Sequence, residues 1–114
     1  MMDTSNLTQE ITTLHAELCS ALAEPTRLFI LYALSEQSCN VSELTQKLEV
    51  PQPTISRHLK VLRDAGLVRA TRQGMTINYE LNDKRVIEAL DLLRSVLRDR
   101  IQHHADLMDE FIPA

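Results

Sequence analysis

Aromatic residues and glycine are scarce in this chain, and tryptophan is absent. Only 4% of the 114 residues are aromatic and two are glycine, whereas 44% are hydrophobic. Leu, Ile, Val and Ala must therefore fill the core, which favours helices over a large sheet. The length is typical of one domain and leaves no room for a second catalytic lobe. We expect a single, mainly helical domain over residues 1–114.

Long hydrophobic runs and a disulfide framework are also missing. No stretch reaches the roughly 18 apolar residues of a membrane span, and the first residues lack the basic and apolar regions of a signal peptide. The two cysteines, Cys19 and Cys39, are too few for the disulfides of a small secreted domain. These absences indicate a cytoplasmic protein with reduced thiols and no membrane partner.

Positive charge is in deficit overall but is concentrated in one segment. The net charge is −4, yet residues 51–77 hold five basic side chains and one acidic side chain, a local balance of +4. A basic segment in an acidic body can face a polyanion on one side. Chance also produces such clusters in short windows, so the charge pattern alone leaves nucleic-acid binding open.

Apolar spacing predicts two helices in the first third of the chain. Leucine and isoleucine recur every three or four residues over 5–23, which is typical of one face of a helix. Glu24 and Pro25 interrupt this pattern, because the residue before a proline avoids helical backbone and proline suits a first turn. A second helix is therefore predicted from Pro25 to Ser35, with apolar residues on more than one side.

Residues 41–65 predict two short helices joined by a tight turn. The first helix covers 41–48, with Ser42 as its N-terminal cap. Pro51 follows in the link, because proline cannot continue the first helix and suits the start of another. The second helix runs from about Gln52 to Ala65. This spacing is that of a helix-turn-helix.

The second of these helices has an apolar side and a basic side. Ile55, Leu59 and Leu62 share one face, and at about 100° per residue Arg57 and Lys60 fall on the opposite face. A solvated helix surface is the plain alternative for the two basic residues.

His58 lies about 60° from the centre of that apolar side. We therefore expect a packed, hydrogen-bonded histidine rather than a base contact.

A β-hairpin is predicted over 67–81, after Gly66 ends the helix. The second strand alternates apolar and polar side chains, which is typical of a strand with one buried face. Gln73 and Gly74 are predicted to supply the turn, which places Arg72 and Gln73 at the hairpin tip.

The last predicted helix covers 83–110 and is capped by Asn82 or Asp83. Apolar residues recur along it every three or four residues from Val86 to Met108. About 27 residues at about 1.5 Å each span about 40 Å, which is longer than so small a body covers by itself. We expect this helix to pair with a second copy of the chain, and the alternative is a helix lying across its own core.

These motifs closely resemble the ArsR/SmtB family of bacterial repressors. The resemblance is carried by ALAEPTRLFILYAL, VSELTQKLEVPQPTISRHLKVLRDAGLV and RQGMTINYEL, which occur in the family's order and spacing over roughly residues 18–97. It implies a winged helix-turn-helix of four helices, a two-stranded wing and a fifth helix. It also implies a homodimer formed through 5–23 and 83–110, which represses transcription by binding a palindromic operator and leaves it when an inducer binds.

A helix of this kind fits the major groove, and two copies about 34 Å apart read two half-sites. By that logic the candidate base contacts are Gln52, Thr54, Ser56 and Arg57, and the candidate phosphate or minor-groove contacts are Lys60, Arg72 and Gln73.

The signal that releases DNA is less defined. Metal-sensing members of the resembled family carry two ligand pairs on the last helix, but the matching positions here include Arg85 and Val96, which offer no metal donor. A second family site uses neighbouring cysteines near the helix-turn-helix, where Cys39 stands alone. A thiol sensor for an oxidant, reactive sulfur or arsenite at Cys19 and Cys39 is one prediction, and a core position for Cys19 is its alternative.

A weaker metal site is predicted from Asp99, His103, Asp106 and Glu110, which follow at helical spacing with His104 beside them. Such nitrogen and oxygen donors suit zinc or nickel, although the wet side of an amphipathic helix has the same pattern. A metal or metalloid ion is therefore a possible cofactor, and none is firmly expected.

Two other classes of function have less support from the sequence. A winged helix that serves only protein interaction would not show duplex binding that falls steeply with salt. An enzyme is not expected, because the sequence has no glycine-rich phosphate loop, nucleophile elbow or HExxH pattern.

Overall fold

The computed structural model describes residues 4–111, which form helices and one antiparallel hairpin. In chain order the elements are α1 (Thr4–Thr13), a π-helical segment (Leu14–Cys19), α2 (Ser20–Leu22), α3 (Pro25–Glu36), α4 (Val41–Leu48), α5 (Gln52–Asp64), β1 (Val68–Gln73), β2 (Thr76–Leu81) and α6 (Arg85–Phe111). The chain divides into two compact units, residues 1–84 and 85–114. The predicted class, mainly helical with one β-hairpin, is confirmed.

The first predicted helix is one helical path that changes its winding midway. The chain is α-helical in α1, π-helical over Leu14–Cys19 and α-helical again in α2. Leu14, Leu18 and Leu22 are spaced by fours, which an α-helix of 3.6 residues per turn would let drift around its axis. The wider π turn offsets part of that drift and keeps the apolar stripe on one side.

Helices α3 and α5 supply most of the core of the first unit. In α3 the buried side chains include Ile30 and Leu31, whereas Phe29 on the same helix is 62% exposed. Helix α3 contacts α2, α4, α5 and β2. The helix-turn-helix is therefore built directly onto α3.

Asn40 caps α4, and the prediction of Ser42 as the cap is wrong. The side-chain Oδ1 of Asn40 accepts the backbone N–H of Glu43 at 2.8 Å, and Oε1 of Glu43 accepts the backbone N–H of Asn40 at 3.0 Å. This reciprocal pair is a capping box, which satisfies two donors that the first helical turn leaves free. Because the helix begins at Val41, Ser42 already lies inside its first turn.

The tight link between α4 and α5 is confirmed. Glu49 ends α4 in the left-handed region, with φ 55° and ψ 45°, and Pro51 precedes the first residue of α5. A left-handed residue reverses the chain within a few residues, although that backbone region is unfavourable for a side chain with a Cβ.

The hairpin turn lies one residue later than predicted. Gln73 pairs with Thr76, so the turn consists of Gly74 and Met75 instead of Gln73 and Gly74. Gly74 has φ +65°, and glycine at the first of two turn positions is the preference of a type II′ hairpin turn.

A backbone bridge joins the segment before α4 to the hairpin. The N–H of Cys39 donates to the carbonyl oxygen of Tyr79 at 3.1 Å, and the N–H of Tyr79 donates to that of Cys39 at 2.8 Å. The polar connection between α3 and α4 therefore adds one strand-like residue beside β2.

Helix α6 is a continuous helix of 27 residues. Large apolar side chains along it are exposed, namely Leu92, Leu93, Val96, Leu97, Ile101, Leu107 and Met108. No helix within residues 4–111 is long and apolar enough to cross a membrane.

Candidate nucleic-acid interface

The buried side of α5 fixes which of its residues face outward. Ile55, Leu59 and Leu62 are each at most 1% exposed, and α5 contacts α3, α4 and β1. Because this side is fully packed, the rotation of α5 about its axis is set. Of the side chains predicted to contact bases, Gln52, Ser56 and Arg57 are exposed and Thr54 is half-buried.

Lys60 carries an ion pair on its own helix. Its Nζ lies 3.2 Å from Oδ2 of Asp64 one turn later, and the two side chains are 68% and 60% exposed. Exposed pairs of this kind contribute little to stability and are screened by salt. Lys60 can therefore exchange Asp64 for another anion at small cost.

Arg72 and Gln73 are the last two residues of β1, beside the Gly74–Met75 turn that forms the hairpin tip, and both are exposed. The Nε of Arg72 donates to the carbonyl oxygen of Gly74 at 3.4 Å. The side-chain oxygen of Gln73 accepts from the side-chain amide of Asn78 at 2.6 Å. This contact uses the side-chain oxygen of Gln73 and does not involve its amide N–H groups, which are the donors of that side chain.

Arg69 is neutralised within the hairpin. Its Nε lies 2.7 Å from Oε1 of Glu80 on the facing strand, where the two residues are direct cross-strand partners. The hydrogen bond and the opposite charge lower the pKa of the Glu80 carboxyl and raise the pKa of the Arg69 guanidinium. The basic segment therefore presents less free positive charge than its composition indicates.

His58 is packed and hydrogen-bonded, which confirms the expectation from its position on the helix. It is 7% exposed, with Nδ1 3.3 Å from Nη1 of Arg27 and Nε2 3.6 Å from Oε2 of Glu24. Burial is the main cause that lowers the pKa of His58, and the Glu24 carboxylate opposes it. The imidazole is therefore neutral at pH 7.

Comparison with known proteins agrees with this architecture. The family model described as bacterial regulatory protein, arsR family, matches residues 24–70. An uncharacterized HTH-type transcriptional regulator of Methanocaldococcus jannaschii, MJ1325, is 43% identical over 79 residues, which cover 68% of this chain and 89% of that protein. The chain belongs to the ArsR family. Its members are DNA-binding transcriptional regulators with a winged helix-turn-helix, and the chain is not an enzyme.

Further comparisons with transcriptional regulators agree in sequence and in fold. The HTH-type transcriptional repressor SmtB of Mycobacterium tuberculosis is 44% identical over 75 residues, which cover 66% of this chain and 56% of SmtB. One similar structure is the solution structure of a homodimeric winged helix-turn-helix DNA-binding domain from Mycobacterium bovis, described as a possible ArsR-family regulator. It superposes with a TM-score of 0.76 at 27% identity, and the match covers 91% of this chain and 96% of that one. The crystal structure of HlyU from Vibrio vulnificus gives a TM-score of 0.67 at 34% identity, with coverages of 83% and 98%.

The two cysteines of this ArsR-family chain lie in unlike environments. Cys19 is exposed and Cys39 is buried, and both are free thiols. A core position for Cys19, the alternative drawn from the sequence, is therefore wrong for the described chain. Burial raises the pKa of the Cys39 thiol against the opposing charge of Lys47, and a thiol with a raised pKa is a weak nucleophile and metal ligand at neutral pH.

The metal site predicted on α6 does not have a complete set of ligands within one chain, over residues 4–111. Over residues 4–111, no three His, Cys, Asp or Glu side chains lie together where they could hold a metal ion. Asp99, His103, His104 and Asp106 are exposed, and Asp106 accepts a hydrogen bond from Gln102 at 2.9 Å. These residues do not fit a metal by themselves.

Sequence reasoning missed Glu24 and Arg27, which surround His58. Glu24 caps α3 by accepting the backbone N–H of Arg27 at 3.1 Å. An acidic residue before a proline was the available signal for that cap. No local signal identifies their contacts with His58, which lies 31 residues after Arg27 in the chain.

Proposed function

We propose that this ArsR-family chain is a repressor that binds a palindromic operator in double-stranded DNA as a homodimer. The observation that carries the proposal is the outward face of α5, which is polar and basic while its opposite side is fully packed. A helix held in this way enters the major groove without rearrangement of the core.

The first turns of α5 are the proposed reading surface. In a helix-turn-helix the N-terminal residues of the second helix contact base edges. The proposed base contacts are therefore Gln52, Thr54, Ser56 and Arg57. Arg57 has the longest reach and the donor geometry for a bidentate contact with guanine, so it is expected to dominate specificity.

The proposed backbone contacts flank this surface. Lys60 lies one turn after Ser56 on α5, and Arg72 and Gln73 lie at the hairpin tip. Contacts of this kind fix the register of the protein on the duplex and carry no sequence information themselves. A hairpin tip with Arg and Gln also suits the minor groove, where such side chains read groove width and A·T pairs.

The proposed dimer interface is formed by the helices over 5–23 and 83–110. In α1 and the π-helical segment, Leu7, Ile11 and Leu14 are 38%, 54% and 45% exposed. Apolar side chains on α6 are exposed as well, among them Leu97 and Ile101. Continuous apolar stripes of this length are rare on a monomer surface, and a second copy would remove them from water.

Release by an inducer is the remaining part of the proposal. A thiol signal at Cys19 and Cys39 has one exposed thiol in its favour, whereas the burial of Cys39 and the raised pKa of its thiol count against it. A metal signal on α6 would need further donors from a second chain, because one chain brings no three ligands together within residues 4–111.

The test is duplex binding by the full chain. A duplex of about 30 base pairs, selected from a randomised pool, is titrated with protein at several salt concentrations. Arg57→Ala is expected to weaken binding about 5- to 150-fold, the equivalent of about 1–3 kcal/mol. Arg63→Ala removes the same charge from the last turn of α5 and is expected to weaken binding only slightly.

Two results would contradict the proposal. Equal losses in Arg57→Ala and Arg63→Ala would show that α5 acts through charge alone and does not read bases. Duplex affinity that does not depend on salt would favour a protein-interaction module, because counterion release accompanies every neutralised phosphate.

A further inference from the structure

The guanidinium of Arg27 joins α2 to α5. Its Nε donates to the carbonyl oxygen of Ala21 at 2.6 Å, and its Nη2 donates to that of Ser20 at 3.2 Å. Its Nη1 lies 3.3 Å from Nδ1 of His58. One side chain thus connects the first helical path to the helix proposed to read DNA.

The contact with Arg27 determines which nitrogen of His58 carries a proton. An arginine N–H can only donate, so Nδ1 of His58 accepts with its lone pair. The single proton of the neutral ring then lies on Nε2, whose nearest anion is Oε2 of Glu24 at 3.6 Å. The Arg27–His58 hydrogen bond therefore exists only while the ring is neutral.

The charges around His58 oppose a second proton. Arg27 and Arg57 are two cations acting on the ring, and Glu24 is one anion. A proton on Nδ1 would place N–H against N–H at the 3.3 Å contact and would add a positive charge beside Arg27. At 7% exposure the ring has little access to water that could replace the lost partner.

We propose that Arg27 and His58 are positioning residues for DNA binding, and that protonation of His58 breaks the Arg27 link between α2 and α5 and lowers the affinity for the operator. This inference rests on the proposed function of α5. Acid conditions then weaken repression through a residue that touches no DNA.

The direction of this pH effect follows from the lowered pKa of His58. In the folded protein the pKa of His58 lies below 6.5, so the unfolded chain and any state with a released ring take up the proton first. The contribution of the Arg27–His58 contact is complete above pH 6.5 and is lost as the pH falls through the lower, folded value. General electrostatics predicts the opposite trend, because acid makes the protein more positive and strengthens its binding to a polyanion.

The experiment measures duplex affinity by fluorescence anisotropy from pH 8 to about pH 5 at constant ionic strength. The probe is the selected duplex, and the protein is the full chain. Affinity should fall about tenfold per pH unit for each His58 that must be neutral, once the pH is below the pKa of the ring. The pH at which this loss begins should coincide with the His58 midpoint in an NMR titration of the histidine ring protons.

His58→Asn keeps an acceptor at the position of Nδ1 and cannot titrate. We expect it to bind at pH 8 within a few-fold of the wild type and to bind no more weakly in acid. His103→Asn is the matched control, since His103 is exposed on α6, and it should keep the wild-type pH profile. Arg27→Gln removes one cation beside the ring and should raise the NMR midpoint of His58.

Three outcomes would overturn the inference. If His58→Asn and the wild type bind at pH 8 and lose affinity in parallel in acid, the coupling is absent although DNA binding stands. An unchanged His58 midpoint in Arg27→Gln would show that Arg27 does not control the ring, and this measurement needs no DNA. If the wild type binds no duplex at any pH, the proposed function fails and the coupling fails with it.

Discussion

The ammonium nitrogen of Lys47 lies 3.7 Å from the sulfur of Cys39. A nearby cation lowers the pKa of a thiol, but burial raises it and is the larger effect at Cys39. The residue is 0% exposed, and it is also bound through its backbone to Tyr79. Cys39 is therefore a neutral structural thiol at pH 7.

Alkylation should distinguish the two cysteines. We expect iodoacetamide at pH 7 to modify Cys39 at least about tenfold more slowly than Cys19, because the buried thiol is protonated and shielded. Peptide mass spectrometry over time gives both rates, and a urea-unfolded sample supplies the control in which the rates converge. Faster reaction at Cys39 in the native protein would revive the thiol-sensor hypothesis for that residue.

The capping box at the start of α4 should be measurable in stability. Asn40→Ala removes an acceptor for a helical N–H and should lower the free energy of unfolding by about 1 kcal/mol. Ser42→Ala is the matched control, as Ser42 lies inside the helix and is exposed, and its effect should stay within about 0.5 kcal/mol. Urea unfolding followed by circular dichroism compares the two, and a larger loss in Ser42→Ala would contradict the capping assignment.

Two positions with positive φ should show opposite changes in stability, one when glycine is introduced and the other when glycine is removed. Glu49 has φ 55°, and Glu49→Gly should raise the free energy of unfolding by up to about 1 kcal/mol through relief of left-handed backbone strain. Gly66 has φ +78°, and apart from Gly66 and its two chain neighbours no residue has an atom within 4 Å of the place where a Cβ would stand. Gly66→Ala should therefore lower the free energy of unfolding by about 1–2 kcal/mol through backbone strain alone. Thermal or urea unfolding would refute this account if both changes shifted stability in the same direction.

The role of α6 in the proposed dimer interface can be tested with two substitutions on that helix. Leu97 is 51% exposed and belongs to the apolar stripe, whereas Arg98 is displaced by about 100° around the helix. Leu97→Glu should convert a dimer to a monomer in analytical ultracentrifugation, because a buried unpaired carboxylate is costly. Arg98→Glu introduces the same side chain and should leave the dimer intact, and equal sedimentation of the two variants would place the interface elsewhere.

Local sequence patterns predicted the helices and strands. The cap of α4 and the hairpin turn differed from the prediction. Spacing and proline placement located the helices, because both act within one or two turns. The cap of α4 was misplaced, since the chain enters that helix from Cys39, which pairs with Tyr79 far along the chain. The hairpin turn was displaced by one residue because Gly74, the residue with positive φ, takes the first turn position.

In the candidate nucleic-acid interface, the sequence predicted which way the side chains of α5 face but did not predict their tertiary contacts. Helical periodicity alone placed Arg57 on the outer side of α5 and His58 at the edge of the buried side. The neighbours of His58 were not predictable, because Glu24 and Arg27 reach it only through tertiary packing. Likewise, the pairing of Arg69 with Glu80 depends on the register of the hairpin, which fixes how much of the basic segment is free.

The π-helical segment gives the first helical path an angular offset. A π turn holds one more residue than an α turn, so the six residues Leu14–Cys19 turn everything before them relative to α2. Deleting one residue there, such as Ala16, would restore ordinary winding and leave Leu7 and Ile11 facing as they do now, because six π-helical residues turn about as far as five α-helical ones. The first helical path therefore accommodates one inserted residue without a change in the direction that α1 faces.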